Sequence, residues 1–82
     1  MTKLEKLLHK LFHQEFDSNF LFKDMLWLLQ TLGYEYRIRG SHYIFKKAKS
    51  KEIINLQKDG RYVKMYQIRQ VRKIIQKENF PE

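Results

Sequence analysis

The chain has 82 residues and no cysteine, a length that allows one domain with a compact core. The lack of cysteine excludes disulfide frameworks, thiolate metal sites and cysteine nucleophiles. No stretch approaches the roughly 20 apolar residues of a membrane span, and the first residues lack the apolar segment of a signal peptide. We therefore expect a cytoplasmic protein with no membrane association.

Positive charge is concentrated in the second part of the chain. The formal net charge is +8, from 17 Lys and Arg against 9 Asp and Glu. Residues 1–34 are neutral, because their four lysines are matched by four acidic residues. A small domain with its positive charge confined to one part attracts nucleic acid, an anionic membrane or an acidic protein through its summed field.

Residues 2–14 have the apolar spacing of an amphipathic helix. Apolar side chains recur at the i, i+3, i+4 and i+7 positions, and Thr2 is placed to cap the helix. His9 and His13 lie four residues apart on the opposite face, a spacing that can bind a metal. Because no third ligand is evident, we interpret both as solvent-exposed and expect neither a metal nor another cofactor.

A turn and a second helix follow. Polar residues at 17–19 favour a turn, because their side chains bond to their own backbone. A second apolar stripe predicts a helix from Lys23 to Leu32, ended by Gly33. Trp27 lies off this stripe, and in so short a chain we expect it at the seam against the first helix rather than exposed to a partner.

An aromatic and β-branched run broken by Gly40-Ser41 predicts a β-hairpin, with strands near Tyr34–Arg39 and His42–Lys47. Gly40 accepts the positive φ that the first central position of a type II′ turn requires. The residues on either side of the turn would then face each other. Alternation does not decide on which face the His42 imidazole lies, since both sides of the second strand are partly apolar.

The remaining chain predicts one more strand and one more helix. A lysine-rich connection leads to a short apolar strand at Ile53–Leu56, which a turn at Lys58-Asp59-Gly60 ends. The pattern from Tyr66 to Asn79 predicts a helix whose outer face is basic. The predicted fold is therefore α+β, with a three-stranded antiparallel sheet packed on helices.

The chemistry that these residues could carry is cleavage of RNA without a metal, although a histidine at the start of a strand is more often structural than catalytic. RNA carries its own nucleophile, the 2′-hydroxyl, so one base and cations that stabilise the phosphate can suffice. His42 is the candidate general acid/base, since imidazole titrates near neutral pH. The second proton carrier stays open among Tyr43, a lysine and water. The expected RNA-binding residues are basic or aromatic, namely Arg37, Arg39, Tyr43, Lys46, Lys47, Arg69, Arg72 and Lys73.

A helix end, a strand start and a later strand and helix follow one another along the chain. Leu32-Gly33-Tyr34 closes a helix, Gly40-Ser41-His42 opens a strand, and an apolar strand and helix follow. Over about residues 22–80 this arrangement resembles the HicA toxins of bacterial toxin–antitoxin pairs. Members of that family have a fold like a double-stranded RNA-binding domain, and their Gly-Ser-His motif supplies the histidine needed for messenger RNA cleavage. The resemblance implies that Gly40 and Ser41 form the turn, that His42 is catalytic and that a HicB-type antitoxin covers this site.

The chain departs from that family in two places. Residues 1–15 form an extra helix, which would extend the core, dock the antitoxin or dock a second copy. A lysine-rich connection replaces the Pro-Asp-Gly type of turn often found after the second strand. We expect a single domain over residues 1–82, with its core at 22–80. The alternatives are a non-catalytic RNA-binding module of the same fold and a domain that binds an acidic protein.

Overall fold

The structure, a computed structural model, describes residues 2–13 and 19–79. It contains three helices and four strands in these residues. They are α1 (Lys3–Phe12), α2 (Phe22–Thr31), β1 (Tyr34–Arg39), β2 (His42–Lys47), β3 (Ile54–Asp59), β4 (Tyr62–Val63) and α3 (Met65–Asn79). The strands form one antiparallel sheet in the order β1-β2-β3-β4. The predicted α+β class is confirmed, and none of the described helices is long and apolar enough to cross a membrane.

The predicted strand count was wrong. The turn expected to begin at Lys58 begins later, so β3 continues to Asp59 and a fourth strand follows. Gly60 has a φ of +64°, a conformation that glycine adopts without a Cβ clash. The chain therefore reverses within two residues, and Asp59 pairs with Tyr62 across the new turn. The Gly-Arg pair is a hairpin signal that the sequence prediction did not use.

The predicted β1–β2 hairpin is confirmed at both strand boundaries. Gly40 has a φ of +60°, whereas Ser41 is not among the described residues with positive φ. A positive φ at the first central residue alone is the pattern of a type II′ turn. Arg39 and His42 pair directly across this turn, as predicted.

Helix α1 belongs to the core. Leu7 and Leu11 are buried with side chains from α2, α3 and the sheet. Thr2 caps the helix as predicted, since its hydroxyl accepts from the Glu5 backbone N–H and the Glu5 carboxylate accepts from the Thr2 backbone N–H. The bonds from the Thr2 backbone and hydroxyl hold the pKa of Glu5 below its ordinary value.

The predicted turn at residues 17 and 18 lies outside the described residues, and α2 ends before Gly33, whose φ is +102°. Trp27 is half-buried against the core, with the Lys3 ammonium of α1 4.5 Å from its ring centroid. These contacts place the indole at the predicted seam between α1 and α2. The His9 and His13 rings are exposed, with their centroids 3.8 Å apart and their planes tilted by 32°. His13 Nδ1–H donates to the His9 carbonyl.

The helices cover one face of the sheet. On that face lie the buried strand residues of the core, Tyr34, Phe45, Ile54, Leu56 and Val63. The residues that alternate with them are exposed or half-buried. We call the uncovered side, which carries Glu35, Arg37, Arg39, His42, Ile44, Lys46, Asn55, Gln57, Asp59 and Tyr62, the open face.

Candidate functional site

The strand register places His42 on the open face. His42 lies opposite Arg39 on β1 and opposite Gln57 on β3. Directly opposed residues of antiparallel strands point to the same side, and Phe45, three residues further along β2, is buried on the helical side. The imidazole is exposed to solvent, which makes it accessible to a large polyanion.

Asn55 fixes the protonation pattern of the His42 ring. The two side chains lie diagonally on β2 and β3, with His42 Nδ1 2.9 Å from Asn55 Oδ1. An amide oxygen only accepts, so Nδ1 carries the proton and donates. In the neutral ring Nε2 then keeps its lone pair and is the nitrogen that can accept a proton from a substrate.

The turn before His42 is attached to the rest of the fold by Gln57. Its side-chain amide donates to Ser41 Oγ at 3.0 Å, and its amide oxygen accepts from the Lys64 ammonium at 3.4 Å. The backbone N–H of Gln57 donates to the buried side chain of Gln67 on α3. The Gly-Ser-His segment is therefore connected to β3 and α3, although Ser41 and His42 are both exposed.

Three of the predicted RNA-binding residues share the open face with His42. Arg39 lies directly opposite the histidine, Arg37 lies two residues further along β1, and Lys46 is opposite Glu35. All three cations are exposed. An imidazole next to two arginines on a solvent-exposed sheet combines a proton acceptor with groups that bind phosphate through several N–H donors.

The other five predicted RNA-binding residues lie on the helical side or on α3. Lys47 points to the helical side, with its ammonium 5.4 Å from the Tyr34 ring centroid. Arg72 donates from Nε to the Leu11 carbonyl at 2.7 Å and so joins α3 to α1. Arg69 and Lys73 are exposed on α3. The structure thus does not bring these residues together with His42.

Tyr43, the fifth of these residues, also points away from the histidine. Its ring contacts Phe22 edge-on at 4.7 Å and Tyr36 at 5.7 Å, both centroid distances, on the helical side of β2. Tyr43 therefore does not share a face with His42 as a proton donor would need to. Of the candidates left open by the sequence, a lysine and water remain.

Asn55 and Gln57 were missed as site residues. Alternation carried a signal for Asn55, because it is a polar residue between Ile54 and Leu56, which are both buried. Its distance to the imidazole follows from the β2–β3 register, which the sequence pattern did not specify. Within the described residues, no group of three or more His, Asp or Glu side chains is arranged to hold a metal ion.

No protein-family model matches the chain, and searches of the curated proteins and of the solved structures gave no significant match.

Proposed function

We propose that this protein is a metal-independent endoribonuclease that cleaves messenger RNA in the cytoplasm and acts as the toxin of a HicA/HicB-type pair. The observation that carries the proposal is the exposed His42 ring, whose Nδ1–H is bound to Asn55 while Nε2 is available on a face with Arg37 and Arg39. Support for a fold like a double-stranded RNA-binding domain comes from the order of α2, the antiparallel strands β1–β3 and α3, with the two-residue strand β4 added before α3.

In the proposed reaction the RNA supplies the nucleophile. Nε2 of His42 removes the proton of a 2′-hydroxyl, and the oxygen attacks the adjacent phosphorus. The guanidinium groups of Arg37 and Arg39 stabilise the charge that develops on the phosphate oxygens. The bond to the 5′-oxygen breaks, and that oxygen takes a proton from a lysine or from water, leaving a 2′,3′-cyclic phosphate and a 5′-hydroxyl, while the imidazolium returns its proton to solvent.

Cleavage of a single-stranded RNA in EDTA tests this function. The native protein should cleave, and His42→Ala should lower the rate by about a hundredfold or more, the usual contribution of a general acid or base. Circular dichroism should show an unchanged fold, because the His42 side chain is exposed. Equal cleavage by the variant, or a requirement for divalent metal, would contradict the mechanism.

A non-catalytic RNA-binding module is the second candidate. The register favours it in one respect, since the residues opposite His42 are Arg39 and Gln57, neither of which transfers protons near neutral pH. This candidate expects RNA binding without cleavage. It also expects His42→Ala to leave affinity unchanged, whereas loss of Arg37 or Arg39 weakens binding.

The proposed toxin would be silenced by a HicB-like antitoxin that covers the open face. Co-expression with such a protein should suppress the growth defect caused by the toxin, and the purified complex should not cleave RNA. Growth arrest that persists when the HicB-like protein is co-expressed would contradict the toxin–antitoxin role without contradicting the ribonuclease activity.

A further inference from the structure

A cleft with a volume of about 390 Å³ lies on the helical side of the sheet, away from the open face. It is formed by the start of α2, by β2 and by the β3–β4 turn. Its lining combines apolar, aromatic and basic side chains, namely Leu21, Phe22, Lys23, Leu26, Tyr43, Lys58 and Arg61. The volume falls in the range of roughly 300–1,000 Å³ that is usual for small-molecule sites.

Three basic residues line this cleft, and no carboxylate is among the residues that line it. Lys23, Lys58 and Arg61 are all exposed, and within residues 2–13 and 19–79 none of them forms a salt bridge. Bringing like charges together is unfavourable in the absence of an anion. The basic lining therefore fits a negatively charged ligand.

The aromatic wall indicates what kind of anion. The Lys58 ammonium lies 5.5 Å from the Phe22 ring centroid and 5.9 Å from the Tyr43 ring centroid, so charge and aromatic surface adjoin. The Tyr43 ring is half-buried and leaves part of its surface accessible in the cleft. A ligand that places a phosphate among the cations and a planar base on the rings satisfies both features, and unpaired bases of RNA stack on aromatic side chains in this way.

The cleft is close to His42 along two strands. Tyr43 follows His42 directly on β2, and Lys58 follows Gln57, the residue opposite His42 on β3. The cleft and the imidazole therefore lie on opposite sides of the sheet, at the end that carries the Gly40-Ser41 turn. One RNA strand that passes around this turn would contact both the cleft and the His42 imidazole.

We propose that this cleft binds one unpaired nucleotide of the RNA next to the cleaved phosphodiester, with its phosphate on Lys23, Lys58 and Arg61 and its base on Tyr43. The inference rests on the proposed ribonuclease function, which supplies the cleaved phosphodiester. It adds a second contact with the substrate, on the face of the sheet that does not carry His42.

Nuclear magnetic resonance of the full chain tests the binding part without any cleavage. Uridine 5′-monophosphate should shift the backbone amides of Lys23, Tyr43, Lys58 and Arg61 more strongly than uridine or inorganic phosphate at the same concentration. The variant Lys58→Gln/Arg61→Gln should weaken this binding by about tenfold or more, because two charge-assisted contacts are lost. Shifts no larger than those with inorganic phosphate would overturn the proposal, as would stronger shifts with a glutamate-rich peptide.

The matched control is Lys6→Gln/Lys51→Gln, which removes the same charge from two exposed lysines outside the cleft. It should bind the nucleotide like the native protein, and an equal loss would show that net charge rather than the cleft is responsible.

Cleavage kinetics then connect the cleft to the reaction. Lys58→Gln/Arg61→Gln should raise KM for RNA by about tenfold while kcat changes little, because the cleft binds substrate without touching the reacting atoms. If KM is unchanged in Lys58→Gln/Arg61→Gln and the nucleotide shifts amides outside the cleft, the cleft is not a substrate subsite. The proposed ribonuclease function would not be affected by that result. If the native protein does not cleave RNA, the proposed function fails, whereas the nucleotide titration still decides whether the cleft is a binding site.

Discussion

At the scale of single residues, the candidate site depends on a pair that spans two strands. The sequence identified His42, Gly40 and Ser41 correctly as neighbours at a hairpin turn, because turn chemistry is local. It did not identify Asn55, since the partner of an imidazole across a sheet depends on a register set by distant packing. Local chemistry was therefore predictable, and the positioning of the ring was not.

The Asn55 hydrogen bond gives a prediction that a purely structural role would not share. Asn55→Leu should lower kcat by about 10- to 100-fold, because the ring loses the contact that orients Nε2. Asn55→Asp should retain the contact and move the acidic limb of the pH–rate profile to higher pH, because a carboxylate stabilises the protonated imidazole, which cannot act as the base. The profile is measured with a short RNA between pH 5 and 9. An acidic limb at the same pH in Asn55→Asp as in the native protein would argue against the contact between residue 55 and His42.

At the scale of helices and strands, the pattern of apolar residues placed α2, α3 and the first two strands within one residue of their observed ends, whereas α1, predicted over residues 2–14, ends at Phe12. It failed at β4, which is too short for periodicity and depends on a glycine turn. It also assigned Arg72 to RNA binding because the residue lies on the polar side of α3. In the structure that guanidinium bonds to the Leu11 carbonyl at the end of α1, a contact between residues far apart in the sequence.

Arg72 is accordingly predicted to affect stability more than RNA binding. Arg72→Ala should lower the free energy of unfolding by about 1.5 kcal/mol, the lower end for a hydrogen bond to a charged group. Lys73→Ala is the matched control, since its side chain is exposed on the next residue of α3. Urea denaturation followed by circular dichroism measures both. Equal stability of the two variants would mean that the joint between α1 and α3 contributes nothing measurable.

At the scale of the whole molecule, positive charge is present on both layers. The open face carries Arg37, Arg39 and Lys46, whereas Lys23, Lys58 and Arg61 surround the cleft on the helical side. The net charge of +8 predicts attraction to any polyanion and does not separate these surfaces. The contributions of the open face and the cleft to RNA binding can be distinguished by the number of counterions that RNA releases when it binds each surface.

The dependence of affinity on salt counts these contacts. For single-stranded RNA, log K falls with log salt concentration by about 0.7 for each phosphate neutralised. The variant Arg37→Gln/Arg39→Gln, made in the His42→Ala background to prevent cleavage, should therefore reduce the slope by about 1.4. Lys6→Gln/Lys51→Gln in the same background removes the same charge outside both surfaces and should leave the slope unchanged. Fluorescence anisotropy between 50 and 300 mM salt gives the two slopes. An equal reduction of the slope in both variants would mean that RNA binding depends on the total charge of the molecule. The proposal that the open face binds the phosphate next to His42 would then be wrong.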